Sequence, residues 1–333
     1  MKDFYNKLHQ VFEQEATKDL YRSKGIVPIQ YIDFYAGQDY NDNLFEAHIF
    51  PALLVQWQIA YTDNYEAVAT LTFKLCYEPQ LQLYRTTPVP SQLGRYYESE
   101  NYISHTDGRK TLFEKLYQWV KHYNLKHKIK LISQYKKDNI NLLDVGAGTG
   151  DFIKACQQYA HWQAVGVEPS DKARTKALDK GFTLYPNYDA LTPHSFDVIT
   201  LWHVLEHIPN TVQEIKILKN LLKDNGLLVI AVPNYRSFDA KHYQQYWAAF
   251  DVPRHLWHFS KDSIKQLFAA EGFELIATYP MLFDAFYVSM LSEQYKTGKK
   301  SFLKGIYNGL RSNYYGYRNG EYSSHIYLLR LAN

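Results

Sequence analysis

The second half of the chain alternates short apolar runs with amphipathic stretches. The apolar runs lie at 142–145, 164–168, 196–201 and 227–232, and further strand patterns follow at 273–279 and 325–332. Apolar residues at helical spacing mark 150–160, 170–180, 209–223 and 261–271, and Ser260 is placed to cap the last of these helices. Alternation of strands and helices is typical of an α/β fold with a doubly wound, mostly parallel sheet.

The first 85 residues carry a different pattern and predict a small N-terminal domain, α/β or mostly β. A helix is indicated at 4–20, and runs rich in β-branched and aromatic residues indicate strands at 27–35, 49–60 and 66–77. The prolines of the segment TTPVPS suit neither a helix interior nor a central strand, so we place the domain boundary there. The remainder divides into a lid segment at 86–138, with helices at 110–122 and 124–137, and a ligand-binding domain at 139–333.

Composition and charge narrow the classes of partner and compartment. The net charge of +3 creates no requirement for nucleic acid or a membrane. The N-terminus carries charges where a signal peptide needs an apolar core, and no window approaches the roughly 18 apolar residues of a membrane span. The two cysteines, Cys76 and Cys156, indicate no disulfide framework. We therefore expect a soluble, cytoplasmic protein without a membrane partner, and we do not favour nucleic acid as a partner.

A glycine-rich segment after the first strand of this domain predicts a ligand site. Residues 142–152, LLDVGAGTGDF, lead from an apolar strand through glycines at alternate positions into a helix. Glycines let the backbone turn tightly and approach a ligand, and the following helix points free N–H groups toward it. Asp151 stands where a dinucleotide fingerprint has its last glycine, and its charge would repel a pyrophosphate. A ligand with an ammonium and a sulfonium fits better.

The spacing Asp144-x-Gly146-x-Gly148-x-Gly150 resembles the first motif of class I S-adenosylmethionine-dependent methyltransferases. The resemblance implies a Rossmann-like sheet of seven strands, S-adenosyl-L-methionine as the cofactor, and methyl transfer as the activity. It also implies that Glu168, at the end of the next strand, accepts hydrogen bonds from the ribose hydroxyls. Asp189 matches the residue that faces the adenine amino group. The positions implied for cofactor binding are Asp144, Gly146, Ala147, Gly148, Gly150, Glu168, Pro169, Asp189, Leu201 and His203.

Further segments carry a more specific resemblance. They are YYESENYISHTD at 96–107, WHVLEH at 202–207, DVPRHLWHFS at 251–260 and GEYSSHIYLL at 320–329. These are similar to a subgroup of methyltransferases related to the ubiquinone-biosynthesis O-methyltransferases. Members of that subgroup usually begin with a zinc ribbon of two C-x-x-C pairs, but this chain has Glu78 and Leu81 where the second pair belongs. Because a structural zinc needs four ligands, we predict that no metal is bound.

Two of these segments predict the groups that carry out the chemistry. Both follow strand ends beside the cofactor motif, so His207, or His255 together with Asp251, would remove a proton from the methyl acceptor. The predicted substrate contacts are Tyr97, Tyr102, Arg254 and His258. Two plainer interpretations stay open. Glu206 and His207 would then cap and brace the next helix, and residues 251–258 would form an internal salt-bridge network.

The segment between the last two strands, 281–322, is predicted to cover the substrate side of the pocket. It mixes lysines and arginines with tyrosines, which suits nucleic acid or an anionic small molecule. The plainer interpretation is a solvated helical face with core aromatics. We expect the acceptor to be a small molecule, with a macromolecule as the alternative. Three other functions stay open: an inactive cofactor-binding scaffold, a nicotinamide-dependent oxidoreductase, and an interaction protein that acts through residues 1–85.

Overall fold

The computed structural model describes residues 29–34, 53–59, 69–90, 93–97, 112–137, 139–299 and 301–332. The chain divides into two compact units. One comprises Met1–Cys76 with Thr86–Pro88, and the other comprises Tyr77–Arg85 with Val89–Asn333.

The first unit contains an antiparallel arrangement of strands. Strand β1 (Ile29–Phe34) pairs antiparallel with β2 (Leu53–Ile59), and β2 pairs antiparallel with β3 (Ala69–Glu78). These three strands confirm the patterns at 27–35, 49–60 and 66–77 within the described residues. The predicted helix at 4–20 lies outside the described residues.

The second unit is built on a mixed sheet of the strands β5 (Asn141–Val145), β6 (Gln163–Val167), β7 (Phe196–Trp202), β8 (Leu222–Pro233), β10 (Phe273–Pro280) and β11 (Ser324–Leu331). The order of these described strands is β10-β11-β8-β7-β5-β6. Outside this sheet, β4 (Leu83–Thr87) pairs antiparallel with the short strand β9 (Trp257–His258). Strands β6, β5, β7 and β8 run parallel, whereas β11 is antiparallel to both β8 and β10. The predicted doubly wound, mostly parallel sheet is therefore confirmed.

The place of a seventh strand, beside β6, is taken by an isolated bridge. Tyr185 donates a backbone hydrogen bond to Gly166 and accepts one from Glu168, and it pairs in parallel with Val167. Pro186 follows directly and has no N–H group to continue the ladder. The described sheet therefore has six strands and not the predicted seven, and the single residue Tyr185 occupies the position of the seventh strand.

Helices cover the sheet, and the four predicted at 150–160, 170–180, 209–223 and 261–271 lie close to their predicted bounds. The described α-helices are α1 (Leu112–Ser133), α2 (Asp151–Ala160), α3 (Asp171–Asp179), α4 (Thr211–Leu221), α5 (Phe238–Tyr243), α6 (Lys261–Ala270), α7 (Asp284–Thr297) and α8 (Phe302–Asn319). Ser260 caps α6 in a capping box with Ser263, as predicted. The prediction of two helices at 110–122 and 124–137 was wrong, because α1 is continuous. No Gly or Pro stands near Tyr123 to interrupt it.

The core of the second unit lies on both faces of the central strands. Leu142 and Val198 belong to one buried apolar cluster, and their neighbours Leu143 and Ile199 belong to another. Successive strand residues point to opposite faces, so continuous apolar runs are what a sheet covered on both sides requires. Each such fully buried side chain contributes about 1.5–3 kcal/mol relative to exposure. The carboxyl ends of the four parallel strands consequently share one rigid edge.

The predicted insert at 281–322 consists of α7 and α8, placed between β10 and β11. The two helices approach closely at glycines: an added Cβ at Gly305 would lie 2.3 Å from Met290 Cγ, and one at Gly309 would lie 2.6 Å from Phe286 Cδ1. In the part of the chain that is described, no helix combines the length and the apolar character needed to cross a bilayer.

Candidate functional site

The glycine turn after β5 is closed on one side and open on the other. Gly146, Gly148 and Gly150 all adopt the left-handed region, with φ of 68°, 55° and 76°. An added Cβ at Gly146 would lie 2.4 Å from Val204 Cγ2, whereas no heavy atom of the described residues lies within 4 Å of one at Gly148. Gly146 and Ala147 donate to Val167 O at 2.8 and 3.0 Å, which ties the turn to β6. The turn therefore leaves space above Gly148 for a ligand.

Glu168 lies beside this space and is held by the backbone. Its Oε2 accepts from Gly148 N at 2.8 Å and its Oε1 accepts from Ser170 N at 2.9 Å. Each carboxylate oxygen has two acceptor sites, so both oxygens retain capacity for a ligand hydroxyl. Arg174 fixes the same corner by donating to the carbonyl oxygens of Glu168 and Pro169. The predicted ribose-binding carboxylate thus lies at the open side of the glycine turn.

Asp144 forms a buried polar group beneath the turn. Burial raises its pKa to about 7, although Thr200 Oγ1 donates to its Oδ1 at 2.6 Å. Lys128 of α1 provides a nearby positive charge, and burial lowers the pKa of its amine to about 8. The Lys128 ammonium lies 4.0 Å from the centre of the Trp202 ring. Sequence reasoning singled out neither Thr200 nor Lys128.

His203 lies at the end of β7 between two carboxylates. Its Nε2 is 2.9 Å from Asp284 Oδ2 and its Nδ1 is 3.4 Å from Glu206 Oε1. Burial alone would lower the pKa of His203, but Asp284 and Glu206 raise it to about 10. The imidazole is therefore charged at neutral pH. Asp284, the first residue of α7 in the insert, is a further residue that sequence reasoning did not single out as part of the site.

The other predicted cofactor residues differ in accessibility. Asp189 is exposed, and its backbone N–H donates to Asn187 Oδ1 at 3.1 Å. Leu201 is fully buried in the core cluster. The side chain of Leu201 therefore belongs to the core and does not reach the surface at the predicted cofactor site. The next two residues, Trp202 and His203, are partly exposed.

The two predicted catalytic segments come together in the structure. Leu256 N donates to Glu206 O at 2.7 Å, and Trp257 Nε1 donates to Ile208 O at 2.7 Å. These bonds hold the loop at 251–260 against the 3-10 turn Leu205–His207. The rings of His207 and His255 consequently pack edge to face, with centroids 4.6 Å apart. Segments that are distant in the sequence thus form one histidine cluster.

The hydrogen bonds of His207 decide which ring nitrogen carries the proton. Its Nδ1 lies 3.1 Å from Arg254 O and 3.0 Å from Tyr97 Oη. A carbonyl oxygen only accepts, so we assign the proton to Nδ1, which leaves Nε2 with a lone pair. Burial, and then the neighbouring His255, lower the pKa of His207 to about 4, so the ring is neutral at neutral pH. This is the protonation state that a general base needs.

His255 and Asp251 are held more tightly. His255 Nδ1 donates to Ala249 O at 2.8 Å, and its Nε2 lies 3.8 Å from Asp251 Oδ2. Arg254 binds both oxygens of Asp251; burial opposes ionisation of this carboxyl, but Arg254 keeps its pKa below the usual value. This part of the loop is an internal ion-pair network, as the plainer interpretation of residues 251–258 expected.

His258 and Tyr102 complete the predicted substrate set. His258 is buried, pairs across the strands with Tyr84, and packs edge to face on Phe250. Burial holds its pKa well below the usual value, so its side chain is a neutral part of the core. Tyr97 contacts His207, as described above, whereas Tyr102 lies outside the described residues.

Glu206 is fully buried and does not cap the next helix. Asn210 caps α4 by accepting from Gln213 N, so the capping interpretation of Glu206 and His207 does not hold. Potential ligand atoms of Glu206, His207 and His255 lie within 4.8 Å of one another. Two imidazoles and a carboxylate are ligands that zinc accepts. The absence of a metal stays a prediction, and in this arrangement Glu206 pairs with His203.

The negative charge of Asp151 is balanced by two lysines. It forms ion pairs with Lys121 at 2.7 Å and with Lys180 at 3.0 Å, which keep its pKa low despite burial. Its repulsion of a bound pyrophosphate is therefore weaker than the sequence alone predicts. The distinction from a nicotinamide cofactor then depends on other evidence.

Comparisons with known proteins supply such evidence. Residues 117–278 match a family model described as a methyltransferase domain. The chain is 34% identical over 107 residues to the ubiquinone biosynthesis O-methyltransferase of Actinobacillus pleuropneumoniae serotype 7, and 32% identical over 107 residues to that of Haemophilus ducreyi. Each match covers 28% of this chain and 45% of the relative, so the chain spans less than half the length of these curated relatives.

Two solved structures are similar to parts of this chain at low sequence identity. Phosphoethanolamine N-methyltransferase 2 of Haemonchus contortus, in complex with S-adenosyl-L-methionine, matches with a TM-score of 0.49 and 15% identity, over 75% of this chain and 62% of that one. The cyclopropane synthase MmaA2 of Mycobacterium tuberculosis matches with a TM-score of 0.47 and 14% identity, over 73% of this chain and 99% of that one.

Proposed function

Because the chain contains a class I S-adenosylmethionine-dependent methyltransferase domain, related to the ubiquinone-biosynthesis O-methyltransferases, we propose that it methylates a hydroxyl group of a small molecule. The relatives named above support an oxygen acceptor. The observation that carries the proposal is the Glu168 carboxylate, held by Gly148 N at 2.8 Å beside the open glycine turn. A neutral histidine lies along the same edge of the sheet.

The residues present fit the cofactor. Glu168 would accept from the ribose hydroxyls, and no heavy atom of the described residues lies within 4 Å of a Cβ added at Gly148, so this side of the turn is open to a ligand. Asp189 would meet the adenine amino group, and Asp144 with His203 would border the amino-acid end. When bound, S-adenosylmethionine supplies an electrophilic methyl group on a sulfonium.

His207 would act on the acceptor. Its Nε2 lone pair would take the proton of the acceptor hydroxyl as that oxygen bonds to the methyl carbon and the carbon–sulfur bond breaks, with the neutral thioether as the leaving group. Arg254 O would hold the other proton on Nδ1. Val204, three residues earlier, packs on Gly146, which places the 3-10 turn of His207 next to the glycine turn. His255 and Asp251 would serve as positioning residues, because both are already engaged by the protein.

Calorimetric titration of the full chain tests the cofactor site. We expect S-adenosylhomocysteine to bind, and the Glu168→Ala variant to bind about tenfold to a hundredfold more weakly because charge-assisted hydrogen bonds are lost. Glu274→Gln is the matched control, since Glu274 is an exposed acid paired with Arg330. Equal affinity of the Glu168 variant, or tighter binding of NAD than of the nucleoside, would contradict the proposal.

Product analysis tests the reaction. The chain is incubated with methyl-labelled S-adenosylmethionine and with matched catechol, phenol, amine and carboxylate acceptors, and products are identified by mass spectrometry. We expect label on an oxygen of a hydroxyl-bearing acceptor. Binding of the cofactor without any labelled product across such a panel would favour the inactive scaffold instead.

A further inference from the structure

Helix α8 turns its largest apolar side chains toward solvent and its smallest side chains inward. The buried positions are Gly305, Asn308, Gly309, Ser312 and Gly316. The exposed positions are Leu303 (80%), Tyr307 (61%), Leu310 (56%), Tyr314 (56%) and Tyr317 (79%). Steps of four and three residues align these five side chains along one side of the helix, which we call the α8 stripe. A helix in a globular protein normally has the opposite arrangement.

The inward face is fixed by close packing. A Cβ added at Gly305 or Gly309 would lie 2.3 Å from Met290 or 2.6 Å from Phe286, and one at Gly316 would lie 2.6 Å from Tyr322. Larger side chains do not fit against α7. A rotation of the helix about its axis therefore cannot bury the α8 stripe against the present neighbours, because the large side chains would not fit there. Its exposure is a property of the fold.

Basic residues border the stripe on one side. Lys304, Arg311 and Arg318 repeat every seven residues, and α8 contains no Asp or Glu. The Arg311 guanidinium lies 5.5 Å from the Tyr307 ring, so the charged border and the stripe are in contact. The whole chain carries a net charge of only +3, so the absence of acid on α8 is a local feature. A partner that matches this surface would combine an apolar region with negative charge.

We propose that the α8 stripe docks on the surface of an anionic lipid bilayer. Interfacial helices combine an apolar face with flanking Lys and Arg, and tyrosines favour the level of the lipid headgroups. Leu303 and Leu310 distinguish a bilayer from nucleic acid, because aliphatic side chains offer bases no stacking surface. Exposed apolar patches of this kind mark interaction sites in folded proteins.

Docking of this kind differs from the expectation that the chain has no membrane partner. That expectation considered spanning segments, and none is found among the described helices. An interfacial helix lies along the membrane plane and buries one face only, so it needs no long apolar run. The charge pattern and the inverted burial of α8 become visible only when the structure shows which side of the helix is covered.

Vesicle co-sedimentation of the full chain tests the proposal. The probes are vesicles of phosphatidylcholine alone and of phosphatidylcholine mixed with phosphatidylglycerol. We expect at least about tenfold tighter partitioning onto the mixed vesicles, weakening as salt is raised, because each basic residue near an anionic surface adds attraction. Absence of binding to the mixed vesicles would overturn the proposal.

Variants locate the contact. Leu303→Ser combined with Leu310→Ser should weaken partitioning about tenfold or more, since apolar burial drives insertion. Lys304→Gln combined with Arg318→Gln should remove the preference for the anionic vesicles. Leu178→Ser is the matched control, because Leu178 is 62% exposed on another helix. Thermal unfolding verifies that each variant is folded, and unchanged partitioning of the Leu303 and Leu310 variant would overturn the assignment.

Other occupants of the α8 stripe give different results. Analytical ultracentrifugation without vesicles that shows a dimer, dissociated by the Leu303 and Leu310 substitutions, would assign the surface to a second copy of the chain. Binding of a single-stranded oligonucleotide that depends on Lys304 and Arg318, without vesicle binding, would assign it to nucleic acid. Either result would overturn the membrane proposal and would leave cofactor binding unaffected.

Discussion

His203 and His207 are separated by four positions at the end of β7, yet their surroundings shift their pKa values in opposite directions. Burial would lower the pKa of His203, but Asp284 and Glu206 raise it to about 10. Burial, followed by the effect of His255, lowers the pKa of His207 to about 4. Local spacing thus places two imidazoles near the site, and partners from other segments decide that one is a cation and the other a base.

The same difference gives the two histidines opposite effects on stability as pH changes. The pKa of His203 is above its ordinary value of 6.5, so its stabilisation is complete below about pH 6.5 and is lost as pH rises through 10. The pKa of His207 is below 6.5, so stability is retained above that pH and decreases as pH falls through 4. Around neutral pH both groups are in the state that the fold favours.

The largest expected effect comes from removing the proposed base. His207→Asn should reduce kcat by about 10²–10⁴-fold, the usual contribution of general base catalysis, while cofactor affinity stays within about twofold. The measurement is steady-state turnover with the acceptor found by product analysis, together with calorimetry.

A matched histidine serves as the control for this substitution. His161→Asn replaces an exposed histidine with φ of 56°, a conformation that Asn tolerates, and it should leave turnover unchanged. Unreduced kcat in the His207 variant would end the assignment of this residue as the base.

The next effect separates His203 from its partner in the insert. Asp284→Asn removes the closer carboxylate, so the pKa of His203 should fall by more than about one unit and the free energy of unfolding should decrease by roughly 1–3 kcal/mol at pH 7. Solvent screening keeps this decrease small, because the side chain of His203 is 34% exposed. NMR titration of the imidazole gives the pKa.

The pH dependence of unfolding gives an independent check on this pair. The Tm of the parent chain should fall between pH 7 and pH 10, because the folded state keeps a proton on His203 that the unfolded chain releases, and the Asp284 variant should show a flatter profile. Identical profiles for the two proteins would show that Asp284 does not hold the charge on His203.

The cofactor edge was predictable because its determinants are contiguous. The turn after β5 has positive φ values, which favour glycine, so the glycines mark the turn in the sequence. Glu168 follows the next strand, so spacing along the chain already places its carboxylate beside the glycine turn. The histidine cluster was predictable in part, since both segments follow strand ends. The contact between His207 and His255 depends on the backbone bond from Leu256 to Glu206, which no spacing rule specifies.

Other features depend on tertiary partners and escaped prediction. Lys128 lies on α1, and only tertiary packing places its ammonium over the Trp202 ring. Asp284 begins a helix in the insert. The sequence analysis of that insert considered only its basic and aromatic residues and therefore missed this acid. The seventh strand was reduced because Pro186 ends its pairing, which the family pattern did not indicate.

The smallest expected effect concerns Tyr97, which helps to hold the proton on His207 Nδ1. Its hydroxyl lies 3.0 Å from that nitrogen and 3.3 Å from Arg254 O. Tyr97→Phe removes one partner but leaves Arg254 O to fix the tautomer, so kcat should fall only about twofold to tenfold, the worth of a single neutral hydrogen bond. The measurement is kcat against pH.

The pH profile distinguishes two roles for this tyrosine. If the hydroxyl only packs against the ring, KM changes and the acidic limb of kcat keeps its position. If it supports the neutral tautomer, that limb shifts in the variant, because the pKa of His207 depends on the groups that contact Nδ1. A loss as large as that of His207→Asn would contradict this assignment, since it would mean that the carbonyl of Arg254 does not fix the proton and that Tyr97 takes part in the chemistry directly.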